Sequence, residues 1–226
     1  MRVVTPGEVG HKRGPVKTSD GSRRLNTWYV GEVSRVGGPG PQAFLVEMCT
    51  PHAALRPHFH SVEQFQVFVG GEGTLGKDPI RPVLAFYTDA YTSYGPITAG
   101  ADGLSFFTFR RRQDAGAHYM PESRGELAPS PRRRIVATDR DADRDGPVGI
   151  AFTHAGAGEP VPALCGAPPA ERYALVLDGS LVADGVDAPQ WSILYWDGPA
   201  APVAVRAGGA GASVGIFTFD STAPAP

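Results

Sequence analysis

The sequence predicts an all-β protein made of two tandem small barrels, and three observations predict it. First, 29 Gly and 22 Pro among 226 residues punctuate the chain too often for long helices. Second, short apolar runs bounded by turn residues recur at regular spacing: Trp28 to Val33, Ala43 to Met48, Phe65 to Val69, Val83 to Tyr87 and Leu104 to Phe109. That spacing belongs to a barrel or sandwich. Third, the text of the first half returns in the second. Glu63 to Gly71 lines up with Glu171 to Gly179, and Leu84 to Asp89 with Ser192 to Asp197, both at an offset of 108 residues. Two copies of one module read this way.

Taken in order, residues 1–26 carry Gly7, Gly10, Gly14, Pro15 and Gly21 among scattered charges, with no apolar period. This predicts an N-terminal arm that is loosely held or draped over a neighbour. The first barrel is expected over 27–128. After Phe109 the text turns to arginine, Gly, Pro and Ser up to Arg134, which reads as a linker, with the arginine runs 110–112 and 132–134 forming a solvated or inter-domain surface and anion binding as the lesser reading. The second barrel is expected over 129–226. Its last strand pairs Phe217-Thr218-Phe219 with Phe107-Thr108-Phe109 at an offset of 110, implying a two-residue insertion.

Composition narrows the function. A net charge of −2 gives no field for nucleic acid, and no apolar run is long enough to span a membrane as a helix. Met1 to Gly14 has no apolar signal region, and the two cysteines, Cys49 and Cys165, do not make a disulfide framework. A cytoplasmic protein is expected, with a small molecule as partner; a homodimer is allowed but not specified. Walker-type, Gly-x-Gly-x-x-Gly, Gly-x-Ser-x-Gly and Cys-x-x-Cys motifs are all missing.

The chemistry concentrates in Arg56-Pro57-His58-Phe59-His60-Ser61-Val62-Glu63-Gln64-Phe65-Gln66 through Gly70-Gly71. Residues two apart on a strand share a face, so His58 and His60 project together, and two imidazoles on one face can chelate one metal ion. The Gly pair suits a hairpin closure. This stretch resembles the first motif of the cupin superfamily: His-x-His, three or four residues, Glu, six residues, Gly. Residues 40–110 carry the resemblance closely and 145–219 more weakly, so the chain resembles a bicupin, with double-stranded β-helix (jelly-roll) barrels.

Two departures matter. With three residues between, the position after His60 where the motif has Glu is occupied by Gln64, while Glu63 sits one residue early; strand alternation lets only one of them face the metal, and Gln64 is favoured. The second motif's His is missing from Asp89 to Ile97, where Tyr94 falls nearest; it could ligate, hydrogen-bond a substrate or simply pack. His118 could fold back over the barrel mouth, although a loop histidine is usually solvated. In the second copy Gly166 and Pro168 stand where His58 and His60 do, and Arg172 where Gln64 does, so that barrel cannot hold the same metal. Cys165 beside it reads as a small buried hydrophobe.

The resemblance implies one divalent transition metal in the first barrel, Fe(II) favoured with Ni, Mn or Zn as alternatives, on His58, His60 and Gln64. Tyr94 and Gln66 would line the same cavity, with aromatic walls from Phe59, Phe68, Phe86 and Tyr91. The activity expected is oxygenase or oxidoreductase chemistry on a small aromatic or enol-bearing metabolite. A non-redox isomerase, cyclase or lyase, or a non-catalytic small-molecule binder, are the other readings.

Overall fold

Strand β1 (Arg2–Val4) opens the computed structural model, which describes residues 1–32, 37–140, 148–165, 171–196 and 203–219. Val33, Gly166, Pro168 and Asp197, which the sequence reading used, lie outside the described residues. A one-turn helix α1 (Pro6–Val9) follows, started by a reciprocal cap in which Glu8 Oε2 accepts from Thr5 N–H at 2.7 Å. Then come β2 (Arg13–Val16), β3 (Arg24–Val30), β4 (Gln42–Met48), β5 (Ala54–Leu55), β6 (His58–Phe59), β7 (Gln64–Leu75), β8 (Asp78–Ile80), β9 (Leu84–Thr88), β10 (Ile97–Arg110), β11 (His118–Tyr119) and β12 (Arg134–Thr138). The remaining strands are β13 (Gly149–Ala155), β14 (Arg172–Ala183), β15 (Val186–Pro189), β16 (Ile193–Trp196) and β17 (Val205–Thr218). Every strand pairing is antiparallel, and strand outweighs helix 56% to 8%, as the Gly and Pro density requires. No helix among the described residues is long and apolar enough to cross a membrane.

The chain divides into two units, Lys12–Thr138 and Met1–His11 with Asp139–Pro226. In the first the ladder runs β12-β9-β7-β10-β4-β3-β2, with β5 on β10 and β8 on β7, and β11-β6 forms a separate ribbon. In the second it runs β1-β16-β14-β17-β13, with β15 on β14.

Three expectations are corrected. The N-terminal segment is not a loose arm: Arg2 to Val4 pairs with Tyr195 to Ile193, and Arg13 to Val16 pairs with Thr27 to Arg24. Ladder hydrogen bonds outweigh the absence of an apolar period. The boundary moves from 128 to 138, because β12 completes the first sheet against β9, Arg134 facing Thr88. The two-residue insertion does not exist. Phe65 faces Phe109 and, 108 residues on, Tyr173 faces Phe217; Gly71 faces Leu104 and Gly179 faces Ala212. The Phe-Thr-Phe text had matched one turn of the pleat too far along.

A pair of glycines fixes this shared register. Gly71 has φ +72° and Gly179 φ +68°, where L side chains are strained, and a Cβ would lie 2.2 Å from Gly103 O in one and 2.1 Å from Gly211 O in the other. The ladder is irregular at this point in both units, so the strand bends where the backbones approach most closely.

Candidate functional site

The inward faces of the first barrel set the site. On β10, Leu104, Phe106, Thr108 and Arg110 alternate with the opposite face, and Met48, Val46, Phe44 and Gln42 stand against them on β4. The lower rungs are closed by Phe68, Phe86, Leu104 and Met48. Above them opens a cavity of about 440 Å³, walled by Trp28, Phe44 and Phe106. The walls named from sequence are corrected: Phe68 and Phe86 belong to the packed core below, and Phe59 and Tyr91 are not among the residues that line the cavity.

His58 and His60 both reach this cavity. Strand β6 is held by Tyr94, whose carbonyl accepts from His58 N–H at 3.1 Å and whose N–H donates to His58 O at 2.9 Å. His58 Nδ1 lies 2.7 Å from Arg56 O, and since a carbonyl only accepts, Nδ1 carries the proton and Nε2 a lone pair. His60 Nδ1 donates to Asp114 Oδ2 at 2.7 Å. The rings stand at 89° with centroids 5.1 Å apart. Burial, then the facing His60, pushes His58 down to about 3; burial, then the Arg110 charge, pushes His60 down to about 4. Both are neutral imidazoles at physiological pH.

Asp114 and Arg110 are what the sequence reading missed. Arg110, placed in a solvated arginine run, is a correction: it is 5% exposed, the last inward residue of β10. Its Nε donates to Gln64 Oε1 at 2.9 Å, its Nη1 to Gln42 Oε1 at 2.8 Å, and Nη2 lies 3.2 and 3.3 Å from the two ring nitrogens of His60. Nη1 is 3.4 Å from Asp114 Oδ2. Burial alone would raise the Asp114 carboxyl, but the His60 hydrogen bond and the charge of Arg110 hold it well below the carboxylate range. Gly116 N–H and Ser61 Oγ complete its shell at 2.9 and 3.0 Å. The period of two through Phe106, Thr108 and Arg110 was the signal that could have found Arg110; Asp114 carried none.

The other predicted residues separate. Gln64 is fully buried and turned inward, whereas Glu63 pairs with Arg111 on the other face. Gln66 lines the cavity. Tyr94 does not, which corrects its placement among the lining residues; it packs on His58 at 4.6 Å and Phe86 at 5.3 Å and accepts a hydrogen bond from Gln64 Nε2. Burial pushes its phenol up, so it is no phenolate. The chain after Asp114 does fold back, β11 pairing with β6, but His118 stacks on Phe59 and bonds Glu126, and it is Tyr119 that borders the cavity. Cys165 is exposed rather than buried.

The fold implies a metal, and the residues present do not fit one. Gln64, the expected third ligand, already gives its oxygen to Arg110, and Tyr94 is a neutral phenol. The Arg110 guanidinium lies against His60 and Gln64, two of the three expected ligands. Two unit charges ~4 Å apart repel by ~4 kcal/mol at an effective dielectric of ~20, and a divalent ion doubles that. Among the described residues no group of three or more His, Cys, Asp or Glu side chains is placed to hold a metal.

No family model matches the sequence, and no curated protein matches it. Solved structures do. A protein described as a candidate dioxygenase from Nostoc punctiforme superposes with a TM-score of 0.70 at 9% identity, covering 99% of this chain and 84% of that one. AerE from Microcystis aeruginosa gives 0.60 at 14% identity over 91% and 96%. Oxalate decarboxylase gives 0.62 at 10% identity over 94% and 76%; the Bacillus subtilis enzyme has Mn(II) centres. At such identities the likeness establishes the cupin-type β-barrel fold.

Proposed function

We propose that this chain is a cupin-fold enzyme for a small organic anion, working by non-redox proton transfer of the kind an isomerase, cyclase or lyase performs. One observation carries it: three cationic side chains, Lys12, Arg24 and Arg110, line the apolar-walled cavity against a single carboxylate, Asp114. Arg110, fixed by Gln64 and Gln42, supplies a positive charge where negative charge develops on a substrate carbonyl oxygen. His58 Nε2 takes the proton from the neighbouring carbon and returns it elsewhere on the substrate, while the electron pair moves onto that oxygen and back. No oxidant is consumed. An anion beside His58 offsets the desolvation that depresses it, which brings its basicity up in the complex. The second barrel has a framework role in this reading.

The test is solvent-deuterium exchange, followed by proton NMR, on a panel of keto carboxylates under anaerobic conditions with EDTA. Wild type should exchange, and His58→Ala should lose at least ~100-fold while remaining folded. Turnover that requires oxygen overturns the proposal.

A second reading keeps a divalent metal, Fe(II) first, on His58 and His60 with oxygenase chemistry. The observation favouring it is that both Nδ1 atoms are held by acceptors, an arrangement seen around metal-bound histidines, which leaves Nε2 of His58 as a ligand atom and Nε2 of His60 as one that Arg110 would have to release. Elemental analysis after Fe(II), Mn(II) or Zn(II) loading and desalting decides. Less than about a tenth of an equivalent supports the first reading; about one equivalent, lost on replacing both histidines by Ala, supports the second.

A further inference from the structure

Below the histidines, the cavity holds polar groups that take no part in the proposed proton transfer, Arg24 entering that reading only through its charge. Gln66 is 4% exposed and lines the cavity, yet its Oε1 has no hydrogen-bond partner. Asn26 Oδ1 and Arg24 Nε, on the same inward face of β3, line it too and are likewise buried without a partner. Buried polar groups are ordinarily satisfied, so three unsatisfied ones converging on one cavity point to something that satisfies them.

The ladder orders them by depth. Gln66 shares a rung with Thr108 and Phe44, one step below Arg110. Asn26 shares the next rung with Val46 and Phe106, and Arg24 the next with Met48. Each step is two residues, about 6.7 Å along a strand. Trp28 stands beside Phe44 on the Gln66 rung, with ring centroids 4.5 Å apart.

We infer that Gln66, Asn26 and Arg24 form a hydroxyl-recognition subsite, so that the anion of the proposed function is a hydroxylated acid with a flat apolar body. The inference rests on that reading for the anionic end only. Two of the three groups are acceptors that need a donor and the third is a donor that needs an acceptor. A hydroxyl does both: its O–H donates to one amide oxygen and its lone pairs accept an N–H, while a second hydroxyl or a water carries the network across the ~6.7 Å step to the other amide oxygen. A carboxylate at this end would satisfy Arg24 but leave Gln66 and Asn26 Oδ1 facing negative charge. The aromatic walls stand on the Gln66 rung, between Arg110 above and Asn26 below, and select a planar body there.

The experiment is isothermal titration calorimetry of the full chain with 3-phenylpropanoate, its 3- and 4-hydroxyphenyl analogues, and neutral 4-ethylphenol. Wild type should bind one of the hydroxylated acids at least tenfold tighter than the parent acid. In Gln66→Leu and in Asn26→Leu that ratio should fall below threefold, while the parent acid binds within twofold of its wild-type affinity. Circular dichroism checks folding, and where one variant fails to fold the other carries the test. Parent acid bound with no gain from either hydroxyl, or a gain that survives both substitutions, overturns the subsite and leaves the anion reading standing. Binding of 4-ethylphenol that depends on Gln66, with neither acid bound, supports the subsite and overturns the anion reading. Binding of none of the four overturns both.

Discussion

In the first barrel Gln64, Gln66 and Thr108 point inward on the central strands; 108 residues on, the second barrel has Arg172, Ala174 and Ile216 at the same rungs. There Val176, Leu194, Trp196, Val214 and Ile216 pack into one apolar cluster. The buried arginine changes strands: Arg110 closes β10 in the first barrel, whereas in the second Thr218 takes that rung and Arg172 stands across from it on β14. Arg172 lies 4.3 Å over the Trp196 ring and donates to Ala163 O at 3.1 Å, so its charge serves packing and loop carbonyls. The lesson is that glycine placement and register specify the frame, and the frame tolerates either an open polar interior or a filled apolar one.

Acid should break the comparison most visibly. His58 and His60 are held neutral in the folded first barrel at about 3 and about 4, against ~6.5 unfolded. Below pH 6.5 the unfolded chain therefore binds more protons than the folded one. The associated stability is full above that pH and is lost as pH falls towards 4, by on the order of 5 kcal/mol. The second unit's histidines, His11 and His154, are exposed. Urea titrations at pH 7.5 and 4.5, read through Trp28 in one unit and Trp196 in the other using single-tryptophan variants, should show the first barrel losing far more. Equal losses would mean the buried pair is not the origin.

Next in size is the arginine. Arg110→Ala leaves Asp114 buried beside no cation and strips Gln64 and Gln42 of a donor, which should cost about 3–5 kcal/mol in urea unfolding at neutral pH. Thr218→Ala, at the matching rung, should cost less than about 1 kcal/mol. A small loss for Arg110→Ala would mean that the polar centre relaxes without its charge.

The smallest expected difference is between Gly71→Ala and Gly179→Ala. Both positions are in the left-handed region with a carbonyl in the way of a Cβ, so each should cost about 2–3 kcal/mol, and the two should agree within about 1 kcal/mol. Unequal costs would show that the frame is not shared in energy as it is in geometry.

Much of this frame could be read from the chain. The inward His58 and His60 and the offset of 108 rest on strand alternation, which sequence displays directly; the hairpin closure expected at Gly70-Gly71 is corrected, since both glycines lie inside β7 facing Ser105 and Leu104 and the strand runs on to Leu75. What failed were judgements where apolar alternation stops. Arg110 follows Phe109 without a break in the strand, yet opening a run of arginines made it look solvated. Asp114 sits in a loop, and only three dimensions bring it to His60. Residues 2–4 pair with strand residues nearly two hundred positions away, a contact with no local trace. Gln64 was turned the right way but its oxygen was already taken, since a ligand's availability depends on its neighbours across the sheet.

The second unit is discontinuous, with Arg2–Val4 as the edge strand beside Ile193–Tyr195. On the ribosome this imposes an order of events. Residues Lys12–Thr138 can emerge and close their barrel while the eleven residues made before them still have no sheet to join. At ~5–20 residues per second the wait for Ile193 to Tyr195 lasts on the order of several seconds. Arg2–Val4, made before the first barrel, is thus placed after it, and slow codons between 138 and 196 would lengthen the interval in which that edge stays unsatisfied.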